Sequence, residues 1–294
     1  MRKLRFALFG NTFQAKKSAL VHKLLSLLEE QGCRVLMDEA FCRYLVEDWK
    51  IAVPAGTQLI RDNDFEADVA VSMGGDGTFL EAARRVAAKG IPILGINMGR
   101  LGFLADVTAD EVESTLHSIL SGQCPTEERT VLQLTYDKGQ PEGYPYALNE
   151  VAVLKRDVSS MISIRVDING EYLTTYQADG LIVNTPTGST GYALSVGGPI
   201  MQPGSRNLEL VPVAPHSLTV RPLVLTDDAV IRLRVSSRNH RFLVSLDGRS
   251  EKCGEDVALT IQRAPYTIRV FKRPGTSFFS TLRTKLMWGT DPRE

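Results

Sequence analysis

Residues 69–86 read VAVSMGGDGTFLEAARRV. A run of small and apolar residues ends in Gly74-Gly75-Asp76-Gly77-Thr78, and an amphipathic segment follows at once. This is the pattern of a buried strand, a tight turn and a helix, the first half of a βαβ unit. Two readings of the turn compete. In one, Asp76 or Thr78 caps the helix. In the other, Gly74, Gly75 and Gly77 take positive φ and let backbone N–H groups face a phosphate at the positive end of the helix. The turn lacks the lysine of a G-x-x-x-x-G-K-[ST] loop and does not fit the G-x-G-x-x-G dinucleotide pattern. An aspartate there repels a phosphate unless a cation lies between them or the carboxylate faces a hydroxyl. An aspartate that faces an acceptor hydroxyl and takes its proton is a recurring part of phosphoryl transfer. From this stretch alone both readings stay open.

Outward from the turn, the first 120 residues alternate. Strand patterns at 4–9, 33–37, 68–73 and 93–97 interleave with helical patterns at 16–30, 40–49, 76–89 and 110–120. Leu20, Leu24, Leu27 and Leu28 give the first helix its apolar stripe, and Gly32 stands where a C-cap belongs. This predicts an α/β domain with a Rossmann-like parallel sheet. After Cys124-Pro125 the texture changes to strand after strand: 130–136, 148–155, 163–168, 171–177, 181–184, 208–213, 229–235, 242–246, 257–263 and 266–271. Asn169-Gly170 between two alternating runs is a two-residue hairpin signal. An all-β sandwich is expected here. Residues 280–288 return to helical spacing. The expected division is an α/β domain over 1–123 carrying GGDG, a β-sandwich over 124–274, and a segment over 275–294 packing back on the first domain. Such a division predicts a ligand cleft between domains.

The chain has 294 residues, is 43% hydrophobic, and carries 34 basic and 34 acidic side chains. This balance gives no net field toward nucleic acid or anionic lipid. Cys33, Cys42, Cys124 and Cys253 form no CxxC pair and no zinc spacing, so reduced thiols are expected and no protein metal ligands are assigned. The start, MRKLRFALFG, reads as a first strand and not as a signal peptide. No stretch reaches the length of a membrane span. A soluble, cytoplasmic protein is expected.

A second constellation lies at 179–199, DGLIVNTPTGSTGYALSVGGP. It packs Asp179, Thr190, Tyr192 and Ser195 among five glycines. Leu181, Ile182 and Val183 anchor it, and Pro186 and Pro199 stiffen its ends. Its density of hydroxyls and backbone amides suits a ribose and a diphosphate better than a linker. A third spot is Asn149-Glu150 in the apolar run ALNEVAVL, where at least one of the pair is expected to face inward.

With these residues in view, the chain resembles the bacterial-type ATP-NAD kinases. GGDGTFL (74–80) is shared with the wider group that includes diacylglycerol and sphingosine-type lipid kinases. GINMGRLGFLADV (95–107), ALNEVAV (147–153), DGLIVNTPTGSTGYALSVGGPI (179–200) and VPVAPHSLTVRPLVL (211–225) look like the NAD kinase series in order. The resemblance implies that the chain phosphorylates the adenosine-ribose 2′-hydroxyl of NAD, with ATP and Mg²⁺, to give NADP. Asp76 would accept the proton, with Gly77 beside it in the NAD site. Gly74, Gly75, Gly77 and Thr78 would hold donor phosphates. Phe103 would pack near the adenine, and Asn149 and Glu150 would bind the ribose and nicotinamide ends. Asp179 would contact the nicotinamide side, often across a subunit boundary. Thr190, Gly191, Tyr192, Ala193, Leu194 and Ser195 would line adenine and ribose, and Ala214 would give a backbone contact. Arg249 occupies a variable position near the ligand.

Gly191 stands where many members have alanine, and Gln177 where some have arginine. His216 matches a family position and is read as structural. NAD and ATP are the expected partners, without nucleic acid or membrane, in a homodimer or homotetramer. The alternatives are a lipid kinase of the diacylglycerol kinase type and a non-catalytic NAD-binding regulator.

Overall fold

The computed structural model describes residues 3–11, 18–99, 102–156, 160–272 and 275–289. Lys16 and Lys17 of the first expected helix, and Arg100 and Leu101 of the GRLGF stretch, lie outside the described residues. Contacts divide the chain into two compact units, Met1–Glu128 with Ile268–Glu294, and Arg129–Thr267.

The first unit is built on a seven-stranded sheet. Its spatial order is Gln58–Ile60, Arg34–Asp38, Arg5–Gly10, Val69–Gly74, Ile93–Asn97, Ile268–Phe271, Thr126–Arg129. The pairings from Gln58–Ile60 through Ile268–Phe271 are parallel. Val69–Gly74 and Ile93–Asn97 are buried at every residue, as a strand covered on both faces must be. Helices Ser18–Glu30 and Val112–Leu120 supply Leu20, Val21, Leu24, Leu25, Leu28, Val112 and Leu116 to one apolar core with Phe6, Leu8, Val71 and Ile96. At Gly32, φ is +64°, and the Cys33 N–H returns to the Leu28 carbonyl at 2.9 Å, so the glycine does end the first helix.

The strand at Ile268–Phe271 corrects the sequence expectation. Residues 266–271 read as one more strand of the sandwich, yet Val270 pairs in parallel with Ile93 in the first sheet. A short β-branched run cannot reveal its sheet. Here it fills the slot beside Ile93–Asn97 and brings the following helix, Phe278–Leu286, into the first unit.

The second unit is an antiparallel β-sandwich. One sheet runs Glu171–Ala178, Ile162–Ile168, Ile231–Ser236, Ala258–Arg263, Leu132–Tyr136, Tyr146–Ala147. The other runs Leu223–Thr226, Asn207–Val213, Gly180–Asn184, Glu150–Lys155, Arg241–Leu246, Arg249–Gly254. Alternate residues of both sheets meet in one core, among them Ile164, Val166, Leu233, Ile261, Val151, Val153, Leu181, Val183 and Phe242. Ile231–Ser236 shows the strict alternation of a strand with one wet face. Asn169 and Gly170 both take positive φ, the type I′ geometry that Asn-Gly predicts.

Candidate active site

In the first unit the strand order reverses between Arg5–Gly10 and Val69–Gly74. Ligands of open α/β sheets bind outside the carboxyl ends of the strands at such a reversal. The glycine turn sits there, directly after Val69–Gly74.

Its geometry corrects two expectations. None of Gly74, Gly75 and Gly77 has positive φ. Gly75 is the N-cap of helix Asp76–Val86 in an extended conformation, and no side chain caps that helix. The glycines serve by what they leave out. A Cβ at Gly74 would overlap the Thr78 side chain, while Gly75 and Gly77 face open space. Asp76 is the first residue of the helix, and its carboxylate reaches outward to the loop after Ile93–Asn97. Oδ2 accepts the Phe103 N–H at 3.0 Å. Oδ1 accepts those of Leu104 at 3.0 Å and Ala105 at 3.1 Å. The loop is pinned from its other side, where Asn97 Nδ2 donates to the Ala105 carbonyl at 3.2 Å. A Cβ at Gly102 would overlap Asp76 Oδ1. Lys285 Nζ, from the C-terminal helix, lies 3.4 Å from Asp76 Oδ2. Sequence reasoning missed Lys285 and the three amides, which no side-chain pattern announces.

In the second unit, Gly180–Asn184 pairs antiparallel with Glu150–Lys155, with Asn184 opposite Glu150. Asn149, Glu150 and the loop from Thr185 therefore meet at one end of these strands. The loop is an ordered structure. Thr185 Oγ1 donates to the Leu148 carbonyl at 2.6 Å, and its N–H to that of Asn149 at 2.9 Å. Ser189 Oγ donates to the Pro186 carbonyl at 2.7 Å and accepts the Met201 N–H at 2.9 Å. A 3-10 turn, Gly188–Thr190, leads into a short helix, Tyr192–Ser195. Within it Ala193 is fully buried against Ile182 and Val211, while Tyr192 and Ser195 are exposed. A Cβ at Gly191 would sit 3.4 Å from both Asn149 Nδ2 and Glu150 Oε2, so Gly191 abuts that pair.

Asn149 and Glu150 are held by a residue the sequence reading passed over. Asp247 accepts the N–H groups of Leu148 at 2.7 Å, Asn149 at 2.8 Å and Glu150 at 3.1 Å. Asp247 and Gly248 both have positive φ and form the hairpin turn between Arg241–Leu246 and Arg249–Gly254. An Asp-Gly pair favours such a turn, but nothing local announces its carboxylate's target. Arg249 donates to the carbonyls of Tyr144 and Tyr146, both at 2.8 Å, and so braces the segment that leads into Asn149.

Asn149 Oδ1 and Glu150 Oε2 are buried and have no hydrogen-bond partner among the described residues. Buried polar atoms are normally satisfied, so this pair is poised for a ligand or ordered water. Burial, followed by the nearby Asp247 carboxylate, pushes Glu150 up to about 8. At neutral pH its carboxyl then keeps its proton and can donate as well as accept. The sign of the linkage follows. Unfolded, Glu150 ionises near 4.5, so between about 4.5 and 8 the folded chain holds a proton that the unfolded chain has released. Stability falls as pH rises through that window. Glu150→Gln should match the parent near pH 4 and exceed it at pH 9 by on the order of a few kcal/mol, read from urea midpoints. A variant no more stable at pH 9 than at pH 4, relative to the parent, would contradict this.

Asp179 and Ala214 lie apart from this cluster. They sit at the opposite end of Gly180–Asn184, where the Asp179 N–H donates to the Val213 carbonyl and Lys155 Nζ pairs with Asp179 at 2.8 Å. The five-residue strand separates the two ends by roughly 17 Å at about 3.4 Å per residue. Ala214 takes positive φ and is exposed. Gln177 accepts from Ser163 Oγ through its side chain, and its carbonyl accepts the His216 N–H.

Two family models match, the ATP-NAD kinase N-terminal domain over residues 6–124 and the ATP-NAD kinase C-terminal domain over residues 148–272. The chain belongs to the NAD kinase family. A Bacteroides fragilis NAD kinase is 58% identical over 290 residues, covering 99% of this chain and all of the relative. A Porphyromonas gingivalis NAD kinase is 43% identical, over 98% of this chain and 99% of the relative. Among solved structures, yeast NADH kinase complexed with NADH has a TM-score of 0.88 at 21% identity, over 99% of this chain and 89% of that one, a likeness of fold. An Archaeoglobus fulgidus NAD kinase in complex with ATP has a TM-score of 0.77 at 26% identity, over 97% and 99%. Neither the lipid kinase nor the non-catalytic regulator is favoured beside these matches. Among the described residues, no helix is long and apolar enough to cross a membrane, and no group of three or more His, Cys, Asp or Glu is placed to hold a metal.

Proposed function

We propose that this chain is an NAD kinase that transfers the γ-phosphoryl group of ATP to the adenosine-ribose 2′-hydroxyl of NAD, with Asp76 as the group that orients that hydroxyl and collects its proton. The observation that carries the reading is the Asp76 carboxylate fixed by three backbone amides at a strand-order reversal, in a chain of this family. A carboxylate is too weak a base to strip a ribose hydroxyl in the ground state. A loose phosphoryl transition state does not require it to, because proton transfer can come late.

Gly74, Gly75, Gly77 and Thr78 are assigned to the donor phosphates. The open space at Gly75 and Gly77 supports this, since their amides can be approached without a Cβ in the way. Phe103 is assigned to the adenine side. In the second unit, Asn149 and Glu150 offer unpartnered polar atoms to the ribose and nicotinamide ends, and residues 190–195 line the adenosine. Asp179 and Ala214 are assigned to a neighbouring copy's ligand in a homo-oligomer, which their distance from Asn149 supports. The side chains at the turn do not fit a protein-held metal, because Asp76 is the turn's carboxylate and already accepts three N–H groups. Mg²⁺ is therefore assigned to the ATP phosphates. The domain roles follow the sequence expectation, with phosphate handling in the α/β part and NAD recognition in the sandwich, in a cytoplasmic enzyme.

The acceptor atom is tested with NAD analogues. The 3′-deoxyadenosine analogue should be phosphorylated and the 2′-deoxyadenosine analogue should not, by mass of the product. Phosphorylation of the 2′-deoxy analogue would overturn the assignment.

A further inference from the structure

We propose that Lys285 is the counter-ion that lets Asp76 and the phosphate donor share the glycine turn. The inference rests on the reading that donor phosphates come to residues 74–78. Lys285 lies on helix Phe278–Leu286, 209 residues along the chain from Asp76, yet its ammonium is 3.4 Å from Asp76 Oδ2. It also sits 4.2 Å over the Phe103 ring. Both groups are partly shielded, with 27% of the Lys285 side chain and 31% of that of Asp76 exposed. An ammonium between a carboxylate and an aromatic face is held from two directions.

The helix is set to present it. Ser277 and Ser280 form a reciprocal capping box at its start. Phe278 packs against Phe103, with ring centroids 6.4 Å apart, and Thr281 and Leu282 are buried. Residues 278, 281, 282 and 285 follow the i, i+3, i+4, i+7 spacing of one helix face. Lys285 is thus the last residue of the face that packs on the Phe103 loop, the same loop whose amides hold Asp76.

The turn has an electrostatic problem that this pairing answers. A carboxylate among phosphate-binding amides repels the polyanion it must work beside. A phosphate-loop lysine would supply positive charge, and the turn has none. Three amide dipoles orient Asp76 but do not cancel its charge. Lys285 does, through a long 3.4 Å contact to Oδ2. Its role is to balance the Asp76 charge, so it is a positioning residue, and the repulsion exposed by its loss should be relieved when the carboxylate is removed.

The test is a double-mutant cycle on binding of a non-transferable ATP analogue with Mg²⁺, read by titration calorimetry on the full chain. Lys285→Met should weaken binding about 10-fold in the parent, and adding Asp76→Asn to it should bring binding back to within about 3-fold of the parent. Lys285→Arg, which keeps the charge, should stay within about 3-fold of the parent. Thermal melting of each variant checks the fold, and Lys285→Gln replaces the methionine variant if that one does not fold. A double variant that binds no better than Lys285→Met alone would overturn the proposal by showing a merely structural role. No weakening in the parent would overturn it as well. Failure of the Asp76 base reading shows up separately, as turnover that survives Asp76→Asn, while the binding cycle still decides the role of Lys285.

Discussion

Asp76→Asn lowers kcat by about 10³-fold or more and leaves the affinity for NAD within about 3-fold. The asparagine keeps the size of the side chain. Its amide oxygen can still accept the Leu104 and Ala105 N–H groups, as Oδ1 does. Its NH₂ then faces the Phe103 N–H and the Lys285 ammonium, where Oδ2 accepted both, so two contacts are lost at a cost on the order of 2–3 kcal/mol in stability. That cost does not reach turnover in a protein that remains folded. What turnover loses is the group that takes the hydroxyl proton and holds the hydroxyl in line. The measurement pairs NAD binding by calorimetry with steady-state rates at saturating ATP and NAD. A fall in binding equal to the fall in rate would sink the assignment of Asp76 as the base and leave it as an anchor for residues 103–105.

Gly188→Ala is expected to be the most damaging substitution in the second unit. A Cβ there would overlap the Asn149 carbonyl group and its Cα, which are backbone and cannot rotate away. The Thr185 N–H bonds that same carbonyl at 2.9 Å, so relief by moving Asn149 tears the loop from its seat. The predicted loss is on the order of 3 kcal/mol, or about 10 °C in melting temperature, with NAD binding abolished. Gly191→Ala makes the contrast. Its Cβ would lie 3.2 Å from the Gly188 carbonyl oxygen and 3.4 Å from Asn149 and Glu150, which a shift of a few tenths of an ångström relieves. That variant should melt within about 3 °C of the parent and keep its activity. Unchanged melting and NAD affinity in Gly188→Ala would mean that the loop is not seated on Asn149.

How far the sequence reaches depends on whether a feature is local. The 3.6-residue stripe of Leu20, Leu24 and Leu28 and the Asn169-Gly170 hairpin are consequences of neighbouring residues, and both were legible. The destination of residues 268–271 was not, because strand pairing depends on which edge is free in three dimensions. At the site, the residue types in GGDGT and NTPTGSTGY announced polar backbone chemistry. The reason for the glycines was misjudged at 74–77, where extended and helical φ values replace the expected positive ones. Asp247 and Lys285 were missed for one reason. Each acts on a group about 100 or 200 positions away, Asp247 on the amides of 148–150 and Lys285 on Asp76. A single sequence carries no mark of that distance.

The central claim is tested most directly by one coupled assay. Purified protein, NAD, ATP and Mg²⁺ are combined, and an NADP-specific dehydrogenase reports the product, with Asp76→Asn beside it. The account predicts steady NADP formation by the parent and a rate at least about 10³-fold lower in the variant. A parent that binds NAD and ATP but forms no NADP, or a variant as fast as the parent, would contradict it.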